Sequence, residues 1–422
     1  MDSRSQNLAI WFRIARTNEE AMRNLAAEVV VVGGGPVGLT AAIALAGAGV
    51  QTVLVTGSAR ERDNRTTALL AGSVTALETL GIWQHCREHA AAMRVMRIVD
   101  DTSRLIRAPE VRFAASEIGL QGFGHNIENR YLLAALDAHA RALPALTFVE
   151  SDAEAVEINP DRIAVRVKAG DTIAARLAIG AEGRRSLCRT AAGIEIDSSR
   201  YPQIALTYNL SHTRQHFDTS TEFHTEAGPF TLVPLPGRRS SLVFVTDPTE
   251  APQLASLCDD GIALEIERRS HSILGKVTME PGRGVFPLVV ETARAFAGRR
   301  VALVGEAAHV IPPIGAQGLN LGLRDAATIC ELVVAAHRDC GDVGAPDLCA
   351  RYDRVRRADV TSRTLAVDVL NRSLLPGFLP LQGARGLGLF LLEQIGPLRR
   401  AVMREGVAPM ASQPSLMRGK AL

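Results

Sequence analysis

Residues 28–32 are a glutamate followed by four valines, and they run straight into Gly33-Gly34-Gly35-Pro36-Val37-Gly38. A short β-branched run makes a buried strand, and glycines at its end make it turn. Residues 39–48 then carry a helical pattern, and after Gly49 residues 50–55 form a second apolar run. The spacing G-x-G-x-x-G (Gly33, Gly35, Gly38) therefore sits between a strand and a helix, which calls for a parallel β-α-β unit. In that unit the first glycine allows the tight turn, the second lets backbone approach a pyrophosphate, and the third lets helix pack on strand. Glycines kept for packing alone are the competing reading.

An acidic residue normally ends the second strand of such a unit and binds a ribose hydroxyl; here that residue is Thr56. A neutral hydroxyl bond is worth roughly 1 kcal/mol, against roughly 1.5–3 kcal/mol with a charged partner. The expected loss is about tenfold in affinity or less.

A second dense stretch is RVALVGEAAHVIPPIGAQGLNLGLRDA, from residue 300. Residues 301–304 read as a buried strand that turns at Gly305, which puts Glu306 at a strand's carboxyl end, where ligands sit in open α/β sheets. Pro312 and Pro313 continue neither strand nor helix. Gly315, Gln317, Gly318, Leu319, Asn320 and Gly322 then open a helix, and such a start offers unpaired N–H groups and a positive dipole end to an electron-rich ligand. A plain strand–loop–helix connection is the bland alternative. His309, at the strand-to-loop turn, reads as a structural hydrogen-bonding residue rather than a base.

A third strand end, residues 177–180, runs into Ala181-Glu182-Gly183-Arg184-Arg185-Ser186, again an acid and a glycine where a phosphate or ribose would sit. Arg65 lies at a loop–helix junction beyond the second strand, with residues 66–80 read as an amphipathic helix. A solvated surface arginine is an equal reading there. Arg130 falls in the first turn of the helix within residues 124–141, where a cation opposes the dipole; meeting a phosphate would explain it.

With 422 residues the chain is long enough for two domains. Residues 28–199 and 291–344 are expected to form one discontinuous unit. Residues 200–290, with alternating segments between Gly/Pro turns, read as an inserted, mostly antiparallel sheet, and about 95–123, which leave the cofactor unit, are an alternative part of that inserted domain. Residues 345–422 read as helical and basic, with an apolar Pro-rich loop at 374–381 and a helix at 387–403. Residues 1–27 read as a poorly ordered extension, with Met22 an alternative initiator, and not as a secretory signal.

A net charge of +2 without basic tracts interleaved with aromatics argues against nucleic acid. Six scattered cysteines without ligand spacing suggest reduced thiols in a cytoplasmic setting and no metal site. No apolar run approaches the ~20 residues that span a bilayer.

Together, the GxGxxG at 33–38, AEGRRSLCR at 181–189 and VGEAAHVIPPIGAQGLNLGLRDA at 304–326 resemble the FAD-dependent aromatic hydroxylases typified by p-hydroxybenzoate hydroxylase. Within that group, GHNIENRYLLAAL at 124–136, AGPFTLVPLPG at 227–237 and the segment 352–389 are most similar to the ubiquinone-biosynthesis hydroxylases, the UbiH/UbiF/Coq6 family. The resemblance implies an α/β fold: a discontinuous Rossmann-like FAD-binding domain, the inserted β-sheet substrate domain, and C-terminal helices. It implies that FAD lies with its pyrophosphate over Gly33, Gly35 and Gly38, its ribityl hydroxyls on Glu306 beside Gly305, and its ring against Pro313 and the backbone from Gly315 to Asn320. Gln317 would stand near the flavin, Glu182 and Gly183 belong to a motif linked to FAD and pyridine nucleotide, and Arg65 and Arg130 match arginines near the cofactor.

The sequence departs from the family at Glu182 and Glu306, where Asp is usual, at Thr56, where Glu is usual, and at Gly315-Ala316, where Ala-Gly is usual. The implied reaction is hydroxylation of the ring of a polyprenyl phenol or quinone precursor by a flavin C4a-hydroperoxide formed from O2. NAD(P)H or a protein donor would serve as transient reductant. Alternatives are a flavin monooxygenase for a soluble aromatic, and a flavin-poor, non-catalytic subunit of a quinone-synthesis complex. The apolar, basic C-terminal region suggests peripheral contact with the inner membrane or a partner enzyme; helices closing the back of the cofactor domain are the alternative.

Overall fold

The computed structural model describes residues 23–57, 65–103, 107–313, 315–374, 394–407 and 413–422. Expectations for residues 1–22, for 375–381 of the apolar loop and for 387–393 of the last helix lie outside them.

Parallel strands need crossover connections, and the chain supplies them around a central strand, β1 (Asn24–Val32). On one side β1 pairs with β2 (Thr52–Val55), which pairs with β8 (Leu146–Val149). On the other it pairs with β11 (Thr172–Gly180), which pairs with β19 (Val301–Leu303). All four pairings are parallel. Antiparallel β9 (Ala153–Ile158) and β10 (Ile163–Val167) extend β11, and β18 (Ala297–Gly298) closes the far edge.

Helix α1 (Pro36–Gly47) is buried from Gly38 to Ala46, as an apolar helix between a sheet and other helices must be. It packs against α3 (Asn129–Arg141) and α7 (Gln317–Arg338). The valines of β1, Leu39, Ile43 and Leu45 of α1, and Leu321, Ile329 and Val333 of α7 share one core.

A second sheet is mostly antiparallel. Its spine is the long β12 (Ile196–His212), which pairs with β15 (Arg239–Thr246) and β17 (Gly284–Ala293). Beyond β15 come β14 (Pro229–Leu235) and β13 (Thr219–His224). β13 is joined in parallel by β5 (Val95–Asp100), with β6 (Val111–Ala114) at the edge, so part of 95–123 enters this sheet. Short β16 (Val277–Met279) also lies on β12, and β20 (His309–Val310) pairs with β17. Phe223, Phe230, Phe244 and Tyr208 point to the back of this sheet. There they meet Leu254 of α5 (Ala251–Ser256) and Ile262 and Ile266 of α6 (Asp259–Arg269).

A small third sheet, β3 (Thr66–Leu70), β7 (Gly124–Glu128) and β4 (Ala90–Ala92), lies between the larger two. Two expectations need correction here. Residues 66–80 are not one helix: 66–70 are β3, because β7 offers a strand edge, and α2 (Ala71–Thr79) follows. And β1 begins at Asn24, four residues earlier than residue 28, since residues 24–27 pair with 172–175 of β11; the extension before the fold is shorter than residues 1–27. Short α4 (Leu187–Ala191), long α8 (Pro346–Leu374) and α9 (Gly396–Val407) complete the described elements that matter below.

Candidate functional site

The glycines of the first motif fall into two classes. A Cβ on Gly33 (φ 112°) would stand 2.3 Å from the Ala181 carbonyl oxygen, and one on Gly38 would stand 1.9 Å from the Gly33 carbonyl oxygen. Both are glycines because backbone crosses backbone. At Gly35 a Cβ would meet nothing within 4 Å. Gly35 is also the N-cap of α1, which has no side-chain cap, no acidic residue in its first turn, and Pro36 at its start. Unpaired N–H groups beside open space are what an anionic group needs.

The neighbouring strand ends converge on this turn. Gly183 (φ 80°) follows β11, and its open side faces Glu306, whose Oε2 is 3.9 Å from the Cβ position. Glu306 itself is exposed at the end of β19. Gly305 (φ 61°) turns under it, with Val37 of α1 packed 3.3 Å from its Cβ position. Glu182 behaves differently. Its Oε1 accepts the Cys188 N–H at 2.8 Å, capping α4, and its Oε2 is buried with no hydrogen-bond partner. The longer side chain has folded beneath the strand end instead of reaching out. Burial and the adjacent Glu182 carboxylate push the Cys188 thiol well above its ordinary pKa.

The start of α7 supplies the third wall. Pro313 and Gly315 are exposed, Gln317 is half-buried and donates through Nε2 to the Gly315 carbonyl (3.0 Å), and a Cβ at Gly318 would again meet nothing within 4 Å. Ala316 is the N-cap with φ 55°, without a side-chain cap, so the N–H groups of Gly318 and Leu319 open the helix. The Asn320 side chain faces away from that opening. Its Oδ1 accepts the Leu70 N–H (2.8 Å) and its Nδ2 donates to the Ala68 carbonyl (2.8 Å), clamping β3 to α7.

Thr56 follows β2 half-buried, and its hydroxyl donates to the neighbouring Gly57 carbonyl (3.3 Å). Arg65 lies over the Phe286 ring, 5.7 Å from its centroid. Arg130 is not left to a phosphate alone: Nη2 donates to Glu128 Oε1 at 2.9 Å, and the guanidinium covers the Tyr131 ring at 4.7 Å. The other Glu128 oxygen takes Arg239 of β15, tying the third sheet to the second. Asn126 of β7 adds bonds to the Pro234 carbonyl and Ser241 Oγ, both 3.0 Å.

On the face of the second sheet that β7 and Arg65 overhang, Thr207, Thr231, Val233 and Val243 are half-buried, whereas the opposite face is buried. Strand alternation puts these residues on one side with Phe286. They form a mostly apolar wall opposite the glycine-lined edges. Sequence patterning alone did not find Asp325, Arg356 and Tyr352, which brace the Glu306 loop. The RDA ending of the second motif contains one of them, but two lie on α8 and meet the loop only in three dimensions.

The residues fit an extended dinucleotide: two open glycines at helix starts, a free carboxylate between them, and an apolar wall beyond. Residues 26–365 match the family model described as FAD binding domain. The chain is 36% identical over 404 residues to the ubiquinone hydroxylase UbiL of Rhodospirillum rubrum, covering 93% of each protein. It is 31% identical over 392 residues to the 3-demethoxyubiquinol 3-hydroxylase of Escherichia coli, covering 91% of this chain and 99% of that one. Among solved structures, the p-nitrophenol 4-monooxygenase of Pseudomonas putida superposes with a TM-score of 0.73 at 21% identity, over 91% of this chain and 97% of that one, which speaks to the fold alone. The chain belongs to the FAD-binding monooxygenases and, within them, to the ubiquinone-biosynthesis hydroxylase family.

Proposed function

We propose that the protein hydroxylates the aromatic ring of a polyprenyl phenol or quinone precursor in ubiquinone biosynthesis, using FAD and O2. The supporting observation is the split among its glycines: Gly33, Gly38 and Gly322 are locked against neighbouring atoms, while Gly35 and Gly318, each at a helix start, give onto open space. In this reading Gly35 and the α1 N–H groups take the pyrophosphate, and Glu306 takes the ribityl hydroxyls. Pro313, Gly315 and the Gly318–Leu319 backbone lie along the ring, and Thr56, Arg65, Arg130, Glu182 and Gly183 line the periphery. The eight-stranded sheet is then the cofactor half, and the nine-stranded sheet carries the substrate.

When bound, FAD supplies oxygen activation, after reduction by NAD(P)H or a protein donor that binds transiently. The chain's own part is to orient and to exclude water: the wall of Val233, Val243, Thr207 and Thr231 receives an aromatic ring, and its few hydroxyls set the ring's direction. Purified protein loaded with FAD should convert a short-chain prenylphenol, with reductant and O2, to a product one oxygen atom heavier. Folded protein that takes up no FAD would overturn the reading. Turnover of small soluble phenols without turnover of prenylphenols would move the substrate to the alternative class.

We also propose that α9 rests on a membrane surface. Its inner stripe, Arg399 and Met403, is seated on the β6 edge, leaving Leu398 and Val402 exposed beside Arg400 and Arg404. Among the described residues no helix is long and apolar enough to cross a membrane, so contact would be from one side. Co-sedimentation with anionic liposomes should fall on Leu398→Asp with Val402→Asp; binding unchanged by the pair would refute this.

A further inference from the structure

The loop that carries Glu306 is held at every second residue. The Tyr352 hydroxyl donates to the Leu303 carbonyl (2.7 Å), the Gly305 N–H donates to Asp325 Oδ2 (2.9 Å), and Arg189 Nη1 donates to the Ala307 carbonyl (2.8 Å). His309 Nε2 lies 2.7 Å from the same Asp325 oxygen. Between these points only the Glu306 side chain is free, and it faces Gly183 across the cleft.

Asp325 is fully buried, on α7, and its second oxygen accepts from Arg356 Nε of α8 at 2.7 Å. Arg356 in turn donates to Asp359 (2.6 Å), which also receives Arg324 (3.0 Å) and Arg363 (3.0 Å). Burial raises the Asp325 pKa, but His309 and Arg356 more than offset it, so the group stays a carboxylate. Stability alone does not call for such a group, because well-packed apolar residues commonly replace a buried ion pair at no loss. An apolar residue could not, however, receive the Gly305 N–H and His309 together. Both partners of Asp325 Oδ2 lie on the loop, one on each side of Glu306.

We infer that Asp325, backed by Arg356, is a positioning residue that fixes residues 305–309 so that the Glu306 carboxylate is presented to the cofactor. Asp325 touches no ligand; it acts through Glu306, and the inference rests on the reading of Glu306 as a ligand of FAD.

A double-mutant cycle on the full-length protein, read as the FAD dissociation constant by flavin fluorescence, tests this. Asp325→Asn should weaken FAD binding about tenfold, the scale of one lost charge-assisted hydrogen bond. Glu306→Gln should weaken it by a similar factor. In the double variant the loss should stay within about twofold of Glu306→Gln alone, because residues that act as one unit are not additive. Fully multiplied losses, an Asp325→Asn protein with wild-type affinity, or a Glu306→Gln protein with wild-type affinity would each overturn the inference. If Asp325→Asn does not fold by circular dichroism, Arg356→Lys, which keeps the buried charge and removes the Nε contact, takes its place in the cycle with the same outcomes. Wild-type protein that binds no FAD would instead defeat the functional reading itself, which separates the two failures.

Discussion

The Cγ2 atom of Val37 stands 2.7 Å from the point that a Cβ at Gly322 would occupy, and the Gly305 Cα is 3.1 Å from the same point. The first turn of α1 is thus seated, with the Gly305 turn, against the first turns of α7. Gly322→Ala should overpack this junction, costing about 1–3 kcal/mol against the ~1 kcal/mol that alanine gains over glycine in a helix. The expected result is a lower melting temperature of the FAD-free protein, partly restored by Val37→Ala in the same chain. Melting followed by circular dichroism measures both.

Gly33 and Gly35 should answer alanine substitution in opposite ways. Gly33→Ala drives a Cβ into the Ala181 carbonyl and forces alanine into a positive φ, so it should fail to fold or lose several kcal/mol. Gly35→Ala, with extended φ and no neighbour within 4 Å, should cost no more than about 1 kcal/mol as an N-cap change. If Gly35 takes the pyrophosphate as proposed, the substitution should nonetheless weaken FAD binding by tenfold or more, because its methyl would fill the approach. Parallel melting and flavin titrations would show whether stability and affinity separate.

Ala316 holds φ 55° at the N-cap of α7, a left-handed conformation that costs a non-glycine residue roughly 1–2 kcal/mol. Ala316→Gly should therefore raise stability, by about 0.5–1 kcal/mol after the added freedom of the unfolded chain is subtracted. Urea unfolding of the two proteins at neutral pH is the measurement.

Burial raises the Asp359 carboxyl, and Arg356 and Arg324 outweigh it, holding the group at about 2. In the unfolded chain it titrates near ~3.9. A depressed folded-state value means that its contribution, about 3 kcal/mol, is fully present above pH ~4 and is lost as pH falls from there toward ~2. Asp359→Asn should remove that acid-side slope. At pH 7 it should cost about 3–5 kcal/mol, since Arg324 and Arg356 remain buried without their shared carboxylate. Stability measured across pH 2–7 in both proteins distinguishes the two effects.

What could be read in the sequence was local. The glycine spacing at 33–38 and the Gly-Glu turn at 305–306 each declare themselves within a few residues, because turn chemistry is written where the turn occurs. What could not be read depended on distant partners. Thr66–Leu70 became a strand only because β7 lies beside it, and a local window sees helix formers there. For Arg130 the sequence suggests a phosphate, and the structure adds a second partner, Glu128, two residues earlier and buried at the end of β7; the acid is visible in the sequence, its burial is not. Asp325 and Arg356 are 31 residues apart on successive helices. In sequence each resembles part of a solvated helix face, and only the packing of α8 on α7 makes them partners.

The order in which the strands take their places has a consequence for biosynthesis. β1, β2, β8 and β11 are made early, but β19 slots in beside β11 only after all of the antiparallel sheet except the two-residue β20 has been translated. A ribosome-bound chain therefore carries half of a nucleotide cradle with no carboxylate opposite it. On the proposed role of Glu306, capture of the prosthetic group waits for the last third of the polypeptide, and a truncated product lacking that part should leave the ribosome colourless.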